Sequence, residues 1–343
     1  MPPIPFGSLP DGTAVARHTL TNAAGASADI LTYGGIITAL RMPDRNGQLA
    51  DVVLGFDTLD AYLAGHPYFG AIIGRIAGRV TGGQLRLPDG TRSLVLNDGP
   101  NHLHGGLVGF DKRVWTVREA TPSSLALFYH SPDGEEGYPG NLDVTVTYTL
   151  TDANELIVAS YAESDRVTPL SLAQHSYFNL AGEGSGDVRG HEIQILADAV
   201  VPTADPAMTL SGRLTPVAGT GNDFREPRRL GDALPGLYSA HGENYFLRAS
   251  ACDQPAVVAR VTEPGSGRVL TVSTNDCALQ FYTGMALDGT LTGKAGRAYG
   301  PHHGLCLECQ GYPDGAHRPE LGDTLVHPGA PQRRTTIYAF SAA

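Results

Sequence analysis

The sequence predicts an all-β protein, an antiparallel sandwich or barrel, and three observations carry that expectation. Runs rich in Val, Ile, Thr and aromatic residues recur at roughly ten- to fifteen-residue intervals. Glycine (43) and proline (24) make up about a fifth of the 343 residues, against about 12% on average, so chain reversals are frequent. Amphipathic helical periodicity is almost absent, and strands that follow one another with hairpin-length gaps pair antiparallel.

Taken in order, the strand-like runs are SADILTYG (27–34), DVVLGF (51–56), VWTVRE (114–119), SLALFYHS (124–131), LDVTVTYTL (142–150) and ELIVASYAES (155–164). After these come HEIQILADAVV (191–201), AVVARVTE (256–263), RVLTVSTN (268–275), ALQFYTG (278–284), GLCLEC (304–309) and TTIYAFS (335–341). Turn-forming clusters such as LPDG (87–90) and SPDG (131–134) bound many of them, and EPGSG (263–267) reads as a hairpin loop between two alternating runs. The best helical candidate is short, DTLDAYLAG (57–65), with Asp57 or Thr58 placed to cap a turn or two. No linker or shift of composition divides the chain, so residues 1–343 are expected to form one domain.

Bulk properties narrow the function. A formal net charge of −11 with scattered Lys and Arg argues against a nucleic-acid partner, which needs a basic stripe. No run of about 18 apolar residues is present, so no membrane-spanning helix is expected. The opening residues lack the charged and apolar regions of a secretory signal. Four cysteines without a small-secreted-domain spacing point to a reducing compartment, and a cytoplasmic location is the expectation.

Chemistry is concentrated in four segments: GRIAGR (74–79), NHLHGG (101–106), QHSYFNL (174–180) and CLECQGYPDG (306–315). Strand alternation puts Cys306, Glu308 and Gln310 on one face and Leu305, Leu307 and Cys309 on the other. Glu308 then either lies on a solvated face or lines a pocket, and the YPDG turn after it favours an opening at the strand end. Residues three apart on a strand diverge, and no second CxxC completes a tetrahedral set, so a zinc or redox reading of Cys306 and Cys309 is disfavoured. His175 shares a face with Ala173, Tyr177 and Asn179, where a lone histidine is more often structural than catalytic. His102 and His104 form an HxH pair that invites a metal reading, but glycines follow and no local glutamate supports it. GRIAGR lacks the spacing of a phosphate-binding loop. A carboxylate and an imidazole drawn together by folding would make an acid/base pair that works near neutral pH without a cofactor.

Together these segments, with PYFGAIIGR (67–75), GFDKRVW (109–115), SPDGEEGYPG (131–140) and QFYTG (280–284), resemble the aldose 1-epimerase (galactose mutarotase) family over most of the chain. The resemblance implies a single large β-sandwich of the galactose mutarotase-like type, a monosaccharide substrate and no cofactor; the residue pattern adds the expectation of no metal, and a monomer or homodimer is expected. Carried over by position, it implies Glu308 as general base, His175 as general acid, His104 as a second catalytic histidine and Arg79 as a sugar-binding arginine. It also implies that Tyr177, Gln280 and Phe281 line the sugar site. Two further positions expected at the sugar site depart from the family pattern: Gly78 stands where the family usually has Asn, and Glu243 in HGENYF (241–246), placed to hydrogen-bond sugar hydroxyls, where it has Asp. These departures imply a sugar preference differing from plain galactose, toward a pentose or another hexose. The rival readings are a hexose 6-phosphate epimerase, a non-catalytic sugar-binding protein on the same scaffold, and a metal-dependent enzyme using the histidines.

Overall fold

The computed structural model describes residues 2–203, 208, 210–237, 239, 242–315, 318, 321–322 and 324–343. Three sheets organise the chain, and every strand ladder in them is antiparallel. The N-terminal residues form a five-stranded meander running Ile4–Ser8, Ala14–Thr21, Ser27–Leu31, Ile37–Pro43 and Leu49–Asp51. A nine-stranded sheet is built around Leu142–Leu150, Glu155–Ser164 and the last strand, Gln332–Ala342, which inserts between Glu155–Ser164 and Arg268–Thr274. The third sheet has five strands in the order Thr215–Pro216, Ala199–Val201, Glu243–Phe246, Ala278–Tyr282 and Cys306–Gln310.

Burial explains why the layers stack. Leu142–Leu150 and Glu155–Ser164 alternate between buried and half-buried positions, the signature of a sheet with one packed face. Their inward residues Val144, Val146, Leu156 and Val158 share one apolar cluster with Leu279, Phe281 and Leu307 of the third sheet and with Ile30 and Leu40 of the first. At roughly 25 cal/mol per Å2 of apolar surface removed from water, such a shared core holds the sheets face to face. The sandwich class expected from the sequence is the observed one.

Several local expectations hold, and two change. The short helix Leu59–Leu63 is capped by Thr58, whose hydroxyl accepts the Ala61 N–H, and EPGSG joins the hairpin of Ala256–Thr262 and Arg268–Thr274. HEIQILADAVV, expected as one strand, is two: Glu192–Ile195 belongs to the nine-stranded sheet and Ala199–Val201 to the third. The run crosses between layers at residues 196–198, which a reading by hydrophobicity alone does not register. DVVLGF is paired only at its start; Val52–Phe56 is buried but makes no continuous ladder, Val53 bridging singly to Phe178. Among the described residues no helix is long and apolar enough to cross a membrane.

Candidate active site

The pocket begins with an arginine that never touches it. Arg75, the first arginine of GRIAGR, is buried, and its guanidinium donates to the carbonyl oxygens of Ser131, Pro132, Pro139 and Gly140 and to the hydroxyls of Ser131 and Thr168. Five N–H donors matched to acceptors meet the cost of burying the charge. The result is a clamp that fixes the 131–140 loop against GRIAGR. Three residues on, Gly78 turns the chain through φ +79°, a left-handed conformation open to glycine. The next two residues, Arg79–Val80, then pair with His102–Leu103.

That pairing sets His104. Its N–H donates to the Gly78 carbonyl, and the Gly78 N–H donates to His104 Nδ1 at 3.1 Å. With Nδ1 accepting, the neutral ring must carry its proton on Nε2. Burial, reinforced by the charges of Arg79 and Lys112, holds the His104 pKa well below the usual imidazole range, so the ring stays a neutral Nε2–H donor. His102 is different in kind. Its Nδ1 lies 2.8 Å from the Val95 carbonyl and its Nε2 2.6 Å from the Tyr138 hydroxyl, so it donates to one and accepts from the other inside the core. The HxH pair does not converge, because His104 adopts φ +52° and leaves the strand alternation.

Glu308, Gln280 and Asn244 form a row. In the ladder registers Gln280 faces Glu308 and Asn244 faces Gln280. Residues directly opposite one another project to the same side of a sheet, so three polar side chains from three adjacent strands share the pocket face. On the free edge of the Glu308 strand lies the chain that carries His175: Phe178 bridges to Leu305, and His175 Nε2 sits 3.6 Å from Glu308 Oε2. Both side chains are almost wholly buried. The His175 ring stacks on Tyr177 at 5.2 Å, and Tyr68 packs on His104 and His175 at 4.6 and 5.7 Å.

Burial pushes the Glu308 pKa up to about 8, with Arg79 opposing the rise, and brings His175 down to about 4. Desolvation penalises whichever form is charged. At neutral pH the free pair therefore holds one proton, on the carboxyl, beside a neutral imidazole. On its other side His175 Nδ1 lies 3.6 Å from Cys306 Sγ. Arg79 donates from Nε to Asp98 at 2.6 Å, which aims the rest of its guanidinium. Asp314 of the YPDG turn accepts the N–H and hydroxyl of Thr81, tying the loop after Glu308 to the loop after Arg79.

The cavity has a volume of about 150 Å3, and Gly78, Arg79, His104, His175, Tyr177, Gln280 and Glu308 all line it. Two expected residues do not. Phe281 lies on the opposite face of its strand, at 5.7 Å from the Phe224 ring in the apolar core. Glu243 faces Phe281 in the ladder and is turned the same way, its carboxylate accepting the Ser239 N–H at 2.5 Å. Alternation decides both cases, since the pocket-facing residues of these strands are the even-numbered ones: Gly242, Asn244, Gln280 and Tyr282. The inference of an altered sugar preference from Glu243 therefore loses its footing. His241, which opens that motif, lies outside the described residues.

Sequence reasoning also missed Tyr68, Asn244, Tyr282 and Pro313, which line the cavity as well. Asn244 and Tyr282 follow from Glu308 once the ladder registers are known. Tyr68, at φ +62° in a loop, has no periodicity to show which way it faces, although it lies in the family-like run PYFGAIIGR.

The family model for aldose 1-epimerase matches residues 16–339 of the chain. The chain is 44% identical to the galactose mutarotase of Sus scrofa over 339 residues, covering 98% of both, and 43% identical to that of Homo sapiens with the same coverage. It is 34% identical to the aldose 1-epimerase of Escherichia coli, covering 97% of each chain. Among solved structures, the galactose 1-epimerase of Lactobacillus acidophilus superposes with a TM-score of 0.85 at 29% identity, over 100% of this chain and 98% of that one. The aldose epimerase homologue from C. elegans gives 0.89 at 29% identity, over 96% and 100%. With full-length likeness joined to a buried carboxylate–imidazole pair in a sugar-sized cavity, the chain belongs to the aldose 1-epimerase family, and it is an isomerase that interconverts the α and β anomers of a free aldose.

Proposed function

We propose that Glu308 and His175 perform the two proton transfers of mutarotation, with His104 and Arg79 holding the sugar. The observation that carries this reading is the 3.6 Å approach of His175 Nε2 to Glu308 Oε2 at the buried end of the cavity. Glu308 Oε2 has no hydrogen-bond partner among the described residues, and a buried unpaired carboxyl oxygen costs about 1–3 kcal/mol unless a ligand meets it.

Ring opening needs a base at the anomeric hydroxyl and an acid at the ring oxygen. Glu308 as carboxylate takes the proton from O1, the O1 electrons form the carbonyl, the C1–O5 bond breaks, and O5 takes a proton from the His175 imidazolium. The aldehyde then stands beside a protonated Glu308 and a neutral His175. Rotation about C1–C2 exposes the other carbonyl face, and the same two transfers in reverse close the ring as the opposite anomer. The free pocket already holds one proton on Glu308 and none on His175, which is the protonation of the open-chain stage. Moving that proton to Nε2 arms the pair for the cyclic sugar. Each positioned transfer contributes about 10²–10⁴-fold. Neutral His104 donates its Nε2–H to a sugar oxygen without adding a charge.

Galactose, named in the mammalian relatives, is the first substrate to test, with other free aldoses beside it. Gly78 remains a departure that bears on preference: a Cβ there would meet Pro313 at 2.8 Å, so a larger residue would press on the pocket wall. Residues 1–343 are read as one catalytic unit, a monomer or homodimer working in the cytoplasm. The test is polarimetric equilibration of freshly dissolved α-sugar. Glu308→Gln should nearly abolish it while sugar binding persists, and near-normal rates in that variant would remove the base assignment. Full activity after chelator treatment would separate this mechanism from a metal-assisted one, and 6-phosphate sugars in the same panel would reveal a phosphosugar preference.

A further inference from the structure

We infer that Asn244 reads the C3 hydroxyl of the sugar and so selects among aldoses by configuration at that carbon. The inference rests on the assignment of Glu308 to O1 and His175 to the ring oxygen, and it follows from the order of four neighbouring chain segments. Across the pocket floor that order is Asn244, Gln280, Glu308 and then His175. The anomeric carbon carries O1, with the ring oxygen on one side and C2 on the other. With O1 at Glu308 and the ring oxygen drawn toward His175, C2 and C3 must extend the opposite way, over Gln280 and Asn244.

Spacing separates the two hydroxyls. Adjacent strands lie about 4.8 Å apart, so Asn244 is two spacings, about 10 Å, from Glu308 along the row. From standard bond lengths, O1 and O2 of a pyranose are about 3 Å apart and O1 and O3 about 5 Å. With a hydrogen bond of about 2.9 Å at each end, the longer span reaches about 11 Å and matches the outer member of the row, while O2, nearer O1, lies over the inner one, Gln280.

The second observation concerns the side chain itself. Asn244 is buried, lines the cavity, and its Oδ1 has no hydrogen-bond partner among the described residues. Buried amides are nearly always satisfied, so an unpaired one that faces a sugar-sized cavity marks where a hydroxyl donor docks. Neighbouring Glu243 cannot take this role, because its carboxylate is turned to the Ser239 N–H on the other face.

The experiment compares Asn244→Ala with the unaltered enzyme by polarimetry on an aldohexose and on its 3-deoxy and 2-deoxy analogues. Removing one such hydrogen bond should lower kcat/KM about tenfold on the parent sugar, mainly through KM. On the 3-deoxy sugar the variant and the unaltered enzyme should agree within about twofold, because the partner is already gone. The 2-deoxy sugar should still show the tenfold loss. Because each ratio is taken between sugars on one protein preparation, a partly folded variant cannot imitate the pattern. An equal loss on the 3-deoxy sugar, no loss on the parent, or a loss that vanishes only on the 2-deoxy sugar overturns the assignment. Glu308→Gln in the same assay keeps the two failures apart. An inactive Glu308 variant with unmoved sugar ratios sinks the Asn244 assignment alone, and an active one sinks the proton-transfer reading beneath it.

Discussion

The strands Glu243–Phe246, Ala278–Tyr282 and Cys306–Gln310 have two faces that divide the work of the protein between them. One carries Asn244, Gln280 and Glu308 and looks into the cavity. The other carries Tyr245, Leu279, Phe281, Leu307 and Cys309 and packs into the core shared with the nine-stranded sheet. Asn244 and Glu308 are as buried as the core face, with Gln280 half-buried, so depth alone does not distinguish the two. What differs is how their groups are satisfied. On the core face the surfaces are mainly apolar, the Tyr245 hydroxyl finds the Asn222 carbonyl, and the Glu243 carboxylate accepts the Ser239 N–H. On the pocket face Glu308 Oε2 and Asn244 Oδ1 are left without partners among the described residues. Orphans that open on a cavity are where a ligand supplies what is missing, so the cavity-lining face is the functional one and the apolar face is the structural one.

If that division is right, substitutions on the two faces should fail in different ways. The largest effect belongs to the pocket face: Glu308→Gln should reduce the polarimetric rate by about 10²–10⁴-fold with little loss of folding stability by denaturant titration. On the core face of the neighbouring strand, Phe281→Ala should cost about 3–5 kcal/mol of stability, while the folded fraction keeps kcat and KM near normal. A change in KM comparable to that of pocket variants would blur the division.

The pH profile sharpens it further. A working pair needs one shared proton, so kcat/KM should be bell-shaped, falling below about pH 4, where His175 gains a second proton, and above about pH 8, where Glu308 loses its own. Outside these limbs the fall should approach tenfold per unit, and a flat profile to pH 10 would contradict the burial of Glu308. Stability carries the same signature. Glu308 has a folded pKa raised above its unfolded value of about 4.3, so the folded state holds a proton that the unfolded chain releases between about pH 4 and 8. Stability from this group is therefore lost as pH rises through that window. Melting temperatures of the unaltered enzyme should decline from pH 5 to 8 relative to Glu308→Gln, and parallel curves would argue against the shift. The smallest effect is expected at Glu243: Glu243→Gln should leave kcat/KM within about threefold, since its carboxylate serves the Ser239 N–H rather than the sugar.

Much of this was legible beforehand, and the reasons are local. Period-two alternation gives strands, and it correctly separated Cys306, Glu308 and Gln310 from Leu307 and Cys309. Thr58 announced a helix start. The structure departs from expectation where adjacent residues take opposite faces. Phe281 follows Gln280 and Glu243 precedes Asn244, so alternation turns each away from the cavity that its neighbour lines. The two arginines of GRIAGR show the same limit. Nothing in the hexapeptide says that Arg75 will be consumed by four backbone carbonyls while Arg79 reaches the cavity.

By itself the sequence determined the sheet-rich class, the turns and the chemical inventory, because these depend on neighbours a few residues apart. Tertiary structure decided which histidine faces the carboxylate, which nitrogen of His104 carries its proton, and which side of each strand meets the sugar. Those outcomes depend on ladder register and on burial, and both arise only when segments from tens to more than a hundred residues apart exclude water from the same space.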